Sequence, residues 1–176
     1  GPASVITAWP CPAAVGGFTP EYALSLDRER THRLLIVPAL FDEANRLRRF
    51  TVELMRELDG HGIDCFLPDL PGTNESLQPL AAQSPGSWQA AMAAAAEHFR
   101  ATRVLAIRGG ALTVATDLPG WNYAPVGGDA VLRQLIRMRH VRAYPVGCKA
   151  ARSGLPPHER KEAKRQEKNS CTQSDF

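Results

Sequence analysis

The stretch Val104-Leu-Ala-Ile-Arg-Gly-Gly-Ala-Leu112 decides how the rest of the chain is read. Val104 to Ile107 is an apolar run of strand length, and Arg108 followed by Gly109-Gly110 breaks it into a sharp turn that opens a short helix. Ala106 and Gly110 stand two residues before and two after the apex, small enough for strand and helix to approach closely. The apex itself is Arg108, whose guanidinium stays protonated in proteins and cannot attack a carbonyl.

Working outward, apolar strands alternate with amphipathic helices, the pattern of an α/β domain with a mostly parallel sheet and helices on both faces. Leu34 to Val37 is apolar throughout, as a strand buried on both sides requires, and Pro38 ends it. Asp42 is positioned to cap a helix whose apolar positions Ala44, Leu47, Phe50, Leu54, Met55 and Leu58 recur at helical spacing, and Gly60 and Gly62 stop it. Ile63 to Leu67 reads as the next strand, closed by the turn-dense Pro68-Asp-Leu-Pro-Gly72 and a long loop. Ser87 is the expected cap of an Ala-rich helix over Trp88 to Arg100. After the Arg108 corner, Gly120 to Pro125 resembles a further strand, and Asp129 introduces a helix over Ala130 to Arg139. Tyr22 to Leu26 alternates as a strand or hairpin arm, whereas residues 1–20, with four Pro and three Gly, read as irregular.

Three regions follow: an irregular segment over 1–20, an incomplete α/β domain over 21–141, and a polar tail over 142–176 expected to be disordered. Charge divides along the same line. Residues 1–141 hold thirteen Arg, no Lys and fourteen acidic residues, a net of −1, while the tail holds eight basic and four acidic residues, a net of +4. A near-neutral domain argues against nucleic acid as a partner. Cys11, Cys65, Cys148 and Cys171 are scattered, with neither a CxxC pair nor His at ligand spacing, so neither a metal nor a cofactor is expected. No apolar stretch reaches the roughly 20 residues of a membrane helix, and the chain reads as cytoplasmic.

Residues 33–139 resemble the N-terminal half of the α/β-hydrolase superfamily, and within it the exosortase-associated hydrolases found with exopolysaccharide loci. Three segments carry the likeness: Val37-Pro-Ala-Leu-Phe-Asp-Glu-Ala-Asn-Arg-Leu-Arg-Arg49, Leu67-Pro-Asp-Leu-Pro-Gly-Thr-Asn-Glu-Ser76 and Ala106-Ile-Arg-Gly-Gly110. The last corresponds to the nucleophile elbow, with Arg108 in the nucleophile's place. The resemblance implies hydrolysis or acyl transfer on a small ester, amide or thioester, with backbone N–H groups near Ala39 to Phe41 and at Gly109 forming an oxyanion hole.

The sequence departs from that chemistry downstream of the corner. The family's acid and His follow the nucleophile, but here the residues available are Asp117 and Asp129, which read as helix-end residues, and His140 and His158, one at a helix end and one in the tail. No complete triad is visible. The candidate site is the crevice at the carboxyl ends of the strands, lined by Phe41, Glu43, Asn45, Arg46, Asp69, Arg108, Gly109 and Gly110. Two readings of Arg108 stand side by side. One gives it a small anionic ligand, a carboxylate or phosphate, held by guanidinium and helix N-terminus together. The other pairs it with Glu43 or Asp69 and leaves the crevice neutral.

Overall fold

The computed structural model describes residues 4–130, 132 and 133. All but the start of the helix expected over 130–139, and the whole tail from 142, fall outside the described residues. The compact unit Gly1–Val131 carries six strands. These are β1 (Val5–Pro12), β2 (Phe18–Leu26), β3 (Arg33–Val37), β4 (Asp64–Pro68), β5 (Arg103–Ile107) and β6 (Gly120–Tyr123). Helices α1 (Asp42–Gly60) and α2 (Pro85–His98) connect β3 to β4 and β4 to β5. The sheet order is β1-β2-β4-β3-β5-β6, parallel from β4 to β6 and antiparallel where β1 and β2 join it.

Alternation along the central strands divides the core between the two helices. Leu35, Val37, Phe66, Val104 and Ala106 face one way and pack with Trp88, Ala91, Met92 and Ala95 of α2. Leu34, Ile36, Cys65, Leu67 and Ile107 face the other way and pack with Met55 of α1. β4 and β5 lie on opposite sides of β3, so the chain reverses direction across the sheet there. Such a reversal opens a crevice at the carboxyl ends of the strands, beside the exit of β3 and the Arg108 corner.

The segment expected to be irregular contains β1 and the start of β2. Its prolines are accommodated because β1 is an edge strand. Pro10 pairs with Pro20, and since neither can donate a ladder hydrogen bond, that pair and every second one along the hairpin turn their backbone groups away from each other. Tyr22 fits this phase, since its carbonyl points to β4 and accepts from the Asp69 N–H at 2.9 Å. On the free edge of β1 the outward positions are therefore Ile6, Ala8, Pro10 and Pro12. Half of them lack an N–H, which blunts the edge against pairing with another chain.

Helix starts also differ from expectation. The N-cap of α1 is Phe41, in a strained conformation (φ 58°, ψ −138°) with no side-chain cap, and Asp42 is the first helical residue. α2 begins earlier, at Pro85: Ser84 is the cap, and its hydroxyl accepts from the Ser87 N–H while the Ser87 hydroxyl accepts from the Ser84 N–H. Ser87 thus sits at the third helical position of a reciprocal capping box. On α1 the buried side chains are Thr51 and Met55, while Phe50 is turned outward and stacks on Tyr123 of β6, ring centres 5.4 Å apart.

At the amino ends of the strands lies an ion cluster. Arg33, nearly buried, reaches both oxygens of Asp27 at 2.9 and 3.0 Å, the fully buried Asp64 at 3.1 Å and the Phe99 carbonyl at 2.9 Å. Arg30 bridges Asp59 and Asp64, and Arg28 holds Asp59 through two bonds of 3.0 Å. The hydrogen bond from Arg33 is the main reason the Asp27 carboxyl is lowered to about 2, and Arg28 likewise lowers that of Asp59. A carboxylate with a depressed folded-state pKa contributes stability above its unfolded value, near 4, and loses it as pH falls through the folded value. The urea midpoint is therefore expected to fall between about pH 4 and about pH 2, and Asp27→Asn to flatten that decline. An unchanged slope in the variant would contradict the pairing.

Candidate functional site

The corner forms as its composition requires. β5 ends at Ile107 in extended backbone, and Arg108–Thr113 is a single short 3₁₀ helix rather than the start of a longer one. Arg108 takes φ 54°, the left-handed region that a side chain adopts only when the surrounding structure imposes it. Gly110 explains the imposition. A Cβ there would lie 2.3 Å from the Pro38 carbonyl oxygen and 3.0 Å from that of Val37, so corner and β3 exit are in backbone contact. The Thr113 hydroxyl donates to the Gly110 carbonyl at 2.8 Å and tightens the turn.

Arg108 and Glu43 meet across the crevice. Nη2 and Nε of Arg108 donate to Glu43 Oε1 at 3.1 and 3.4 Å, and Nη1 donates to the Ala124 carbonyl at 3.2 Å. Three of the five guanidinium N–H groups are engaged, one on each nitrogen. Both side chains are about one-third exposed. Asp69 is occupied elsewhere, accepting from Asn74 at 2.7 Å with Arg48 at 3.5 Å. Phe41, half-buried against Trp88, lines a cleft with Asp69, Leu70, Thr73 and Asn74. That cleft measures about 40 Å³, room for water or a very small ion and far below the roughly 300 Å³ at which drug-sized ligand pockets begin. The Arg108–Glu43 pair does not line that cleft, Gly109 and Gly110 are buried in the corner, and Asn45 and Arg46 are exposed on α1, also outside it.

The remaining nucleophiles and bases lie elsewhere or are locked. Ser76 Oγ accepts from the Gly72 and Gln78 N–H groups and donates to Glu21 Oε1 at 2.7 Å, so it is a latch for the loop after β4. Burial pushes the Cys11 thiol up to about 12, with the Glu21 charge adding to it, and burial does the same to Cys65, helped by Asp64. Neither thiol supplies a thiolate near neutral pH. His32 precedes β3, His61 caps the end of α1 and His98 ends α2, so these three stand at the amino edge of the sheet, opposite the corner. The sequence did not reveal Glu21, which is fully buried, accepts from Ser76 and Gln78, and keeps Oε2 without a protein partner. Among the described residues, no three His, Cys, Asp or Glu side chains are grouped to hold a metal, and no helix is long and apolar enough to cross a membrane.

No family model matches the sequence, and no curated protein matches it. Solved structures do. A predicted CIB-like hydrolase from Thermoplasma acidophilum superposes with a TM-score of 0.53 at 10% identity, over 73% of this chain and 67% of that one. A putative hydrolase from Agrobacterium vitis S4 gives 0.46 at 15% identity over 69% and 50% of the two chains. An α/β hydrolase from Novosphingobium aromaticivorans DSM 12444 gives 0.44 at 18% identity over 64% and 39%. The chain thus spans between 39% and 67% of the length of these proteins. At such identity the likeness with the Thermoplasma structure speaks for architecture alone: the chain has an α/β-hydrolase-like fold, with an arginine at the apex of its strand-to-helix corner.

Proposed function

We propose that this chain is a non-catalytic binding protein on a hydrolase-like scaffold, taking a small carboxylate or phosphate at Arg108. The observation that carries the proposal is the position of that side chain. Arg108 occupies the strained apex between β5 and the 3₁₀ helix, and its guanidinium keeps two N–H groups beyond those given to Glu43 and Ala124. An anion reaching those donors competes with Glu43 for the same cation.

Covalent acyl transfer has less support. The apex lacks an attacking atom, Ser76 is locked, and the three described His residues stand at the opposite edge. Through residues 37–49 and 67–76 the chain nonetheless resembles exosortase-associated hydrolases, and hydrolysis of a small ester, amide or thioester is the rival reading.

Titration of acetate and inorganic phosphate into the protein and into Arg108→Ala tests the proposal. The native protein is expected to bind at least one of the two, with affinity falling about tenfold or more in the variant, the loss of one charge-assisted contact. Equal affinity in both proteins removes Arg108 from any site. Labelling by a serine-reactive phosphonate, with turnover of short acyl esters, would establish the rival.

A further inference from the structure

A cavity larger than the cleft beside Phe41 lies away from the corner. It opens at the amino edge of the sheet, between the start of β1, the end of β2 and the end of α2, with a volume of about 380 Å³. That size lies within the range of small-molecule sites, and it is some ninefold larger than the cleft beside Phe41.

Its lining divides by chemistry. Val5, Leu26 and Phe99 give an apolar wall. Ser25 is nearly buried, with its Oγ 2.9 Å from Thr7 Oγ1, and a hydroxyl pair of this kind keeps one hydrogen beyond the bond between them. Of the cations, Arg33 is committed to Asp27 and Asp64, and Arg28 to Asp59. Arg100 lines the cavity without a carboxylate partner among the described residues. Once the ion cluster is balanced, the mouth carries one uncommitted positive charge.

The backbone at Arg100 adds an independent observation. α2 ends with the Ala101 N–H bonded to the Ala96 carbonyl at 2.8 Å and the Arg100 N–H to the Glu97 carbonyl at 3.0 Å, which places Arg100 at the left-handed position of a Schellman motif, with φ 50°. α1 ends the same way, with the Ile63 N–H on the Leu58 carbonyl and the Gly62 N–H on the Asp59 carbonyl, and there the left-handed residue is Gly62. Glycine is the unstrained choice for that position. In α2 an arginine stands there, with its side chain at the mouth of the cavity.

We infer that the amino-edge cavity is a binding site for a monoanion with a short apolar body, a medium-chain or aromatic carboxylate, whose charge meets Arg100 and the Ser25 hydroxyl while its body lies along Val5, Leu26 and Phe99. The site is separate from the corner and does not depend on the reading of Arg108. Hexanoate and benzoate are the probes, hexanol the uncharged control, and the His98 ring resonances, at the cavity wall, the local reporter.

Saturable shifts of the His98 ring by hexanoate or benzoate are expected, with hexanol at least tenfold weaker. Arg100→Gly is expected to raise thermal stability by relieving the left-handed strain while weakening binding at least tenfold, a combination a merely structural arginine would not give. Thr7→Trp, a filling substitution on an exposed position of β1, is expected to abolish the shifts, and Arg108→Ala to leave them intact. Absence of saturable shifts, equal binding of hexanol, unchanged affinity in Arg100→Gly, or loss of binding in Arg108→Ala would each overturn the inference.

Discussion

Replacing Arg33 by alanine is expected to lower the unfolding free energy by about 3 kcal/mol or more, a large share of a small domain's total stability. The reason is what the substitution leaves behind. Asp64 is fully buried at the start of β4, and Arg33 is one of its two cationic partners, at 3.1 Å; Arg30, at 3.4 Å, is the other. Arg33 also donates to the Phe99 carbonyl and to both oxygens of Asp27, so with Asp64 one deletion takes a donor from four acceptor atoms. Its guanidinium lies 4.8 Å from the centre of the Phe66 ring, and that packing is lost as well.

Arg33→Lys keeps the charge but not the fork, and it should lose most of the same stability. The double variant Arg33→Met with Asp64→Leu removes both sides of the pair and should recover part of the loss, as replacement of a buried ion pair by apolar side chains often does. Urea unfolding of the parent, Arg33→Met, Asp64→Leu and the double variant measures this coupling. Additive losses in the double variant would show that the two residues are not coupled.

Gly110→Val is the second large effect, expected at about 3 kcal/mol or beyond. The clash is with backbone: the added Cβ would lie 2.3 Å from the Pro38 carbonyl oxygen, and no rotamer relieves contact between two main chains. Relief requires the corner to move off the exit of β3, which pulls Arg108 away from Glu43 and disturbs the crevice. Gly60→Ala is the control. A Cβ at Gly60, the last residue of α1, meets nothing within 4 Å, and the change should be neutral or slightly stabilising. A Gly110→Val protein as stable as the parent would mean that the corner and β3 are not in contact.

Much of the architecture was legible because burial on two faces leaves a strong mark. Leu34 to Val37 and Val104 to Ile107 could only be interior strands, and the spacing from Ala44 to Leu58 only a helix against a sheet. The Arg108 corner was legible for a similar reason, since an apolar run ending in Arg-Gly-Gly leaves the chain few options.

What escaped the sequence was decided by distant contacts. Pro10 and Pro12 suggest irregular chain until β2 is known to lie on one side of them and solvent on the other, where a missing N–H costs nothing. Ser87 looks like the cap, yet the helix starts at Pro85, with Ser84 as its cap and Ser87 at the third helical position. Phe50 follows the helical spacing of the apolar face, yet it lies at that face's margin and packs on Tyr123 of the edge strand.

The candidate site shows the same division. Arg108 and Glu43, 65 positions apart, pair as one of two stated alternatives, whereas Asn45 and Arg46, from the same helical turn as Glu43, sit on its exposed side. The amino-edge cavity brings together residues near 5, 25, 33 and 99, and no local pattern connects them.

The central claim is that Arg108 tops a strained strand-to-helix corner, and a comparison of Arg108→Gly with Arg108→Ala tests it most directly. Both variants lose the guanidinium, so the Glu43 and Ala124 contacts cancel between them and only the backbone preference remains. At an ordinary helical position alanine is the more stable by about 1 kcal/mol. At φ 54° the order is expected to reverse, with the glycine variant more stable by about 1 kcal/mol in urea unfolding. An alanine variant of equal or greater stability would contradict the corner and the account built on it.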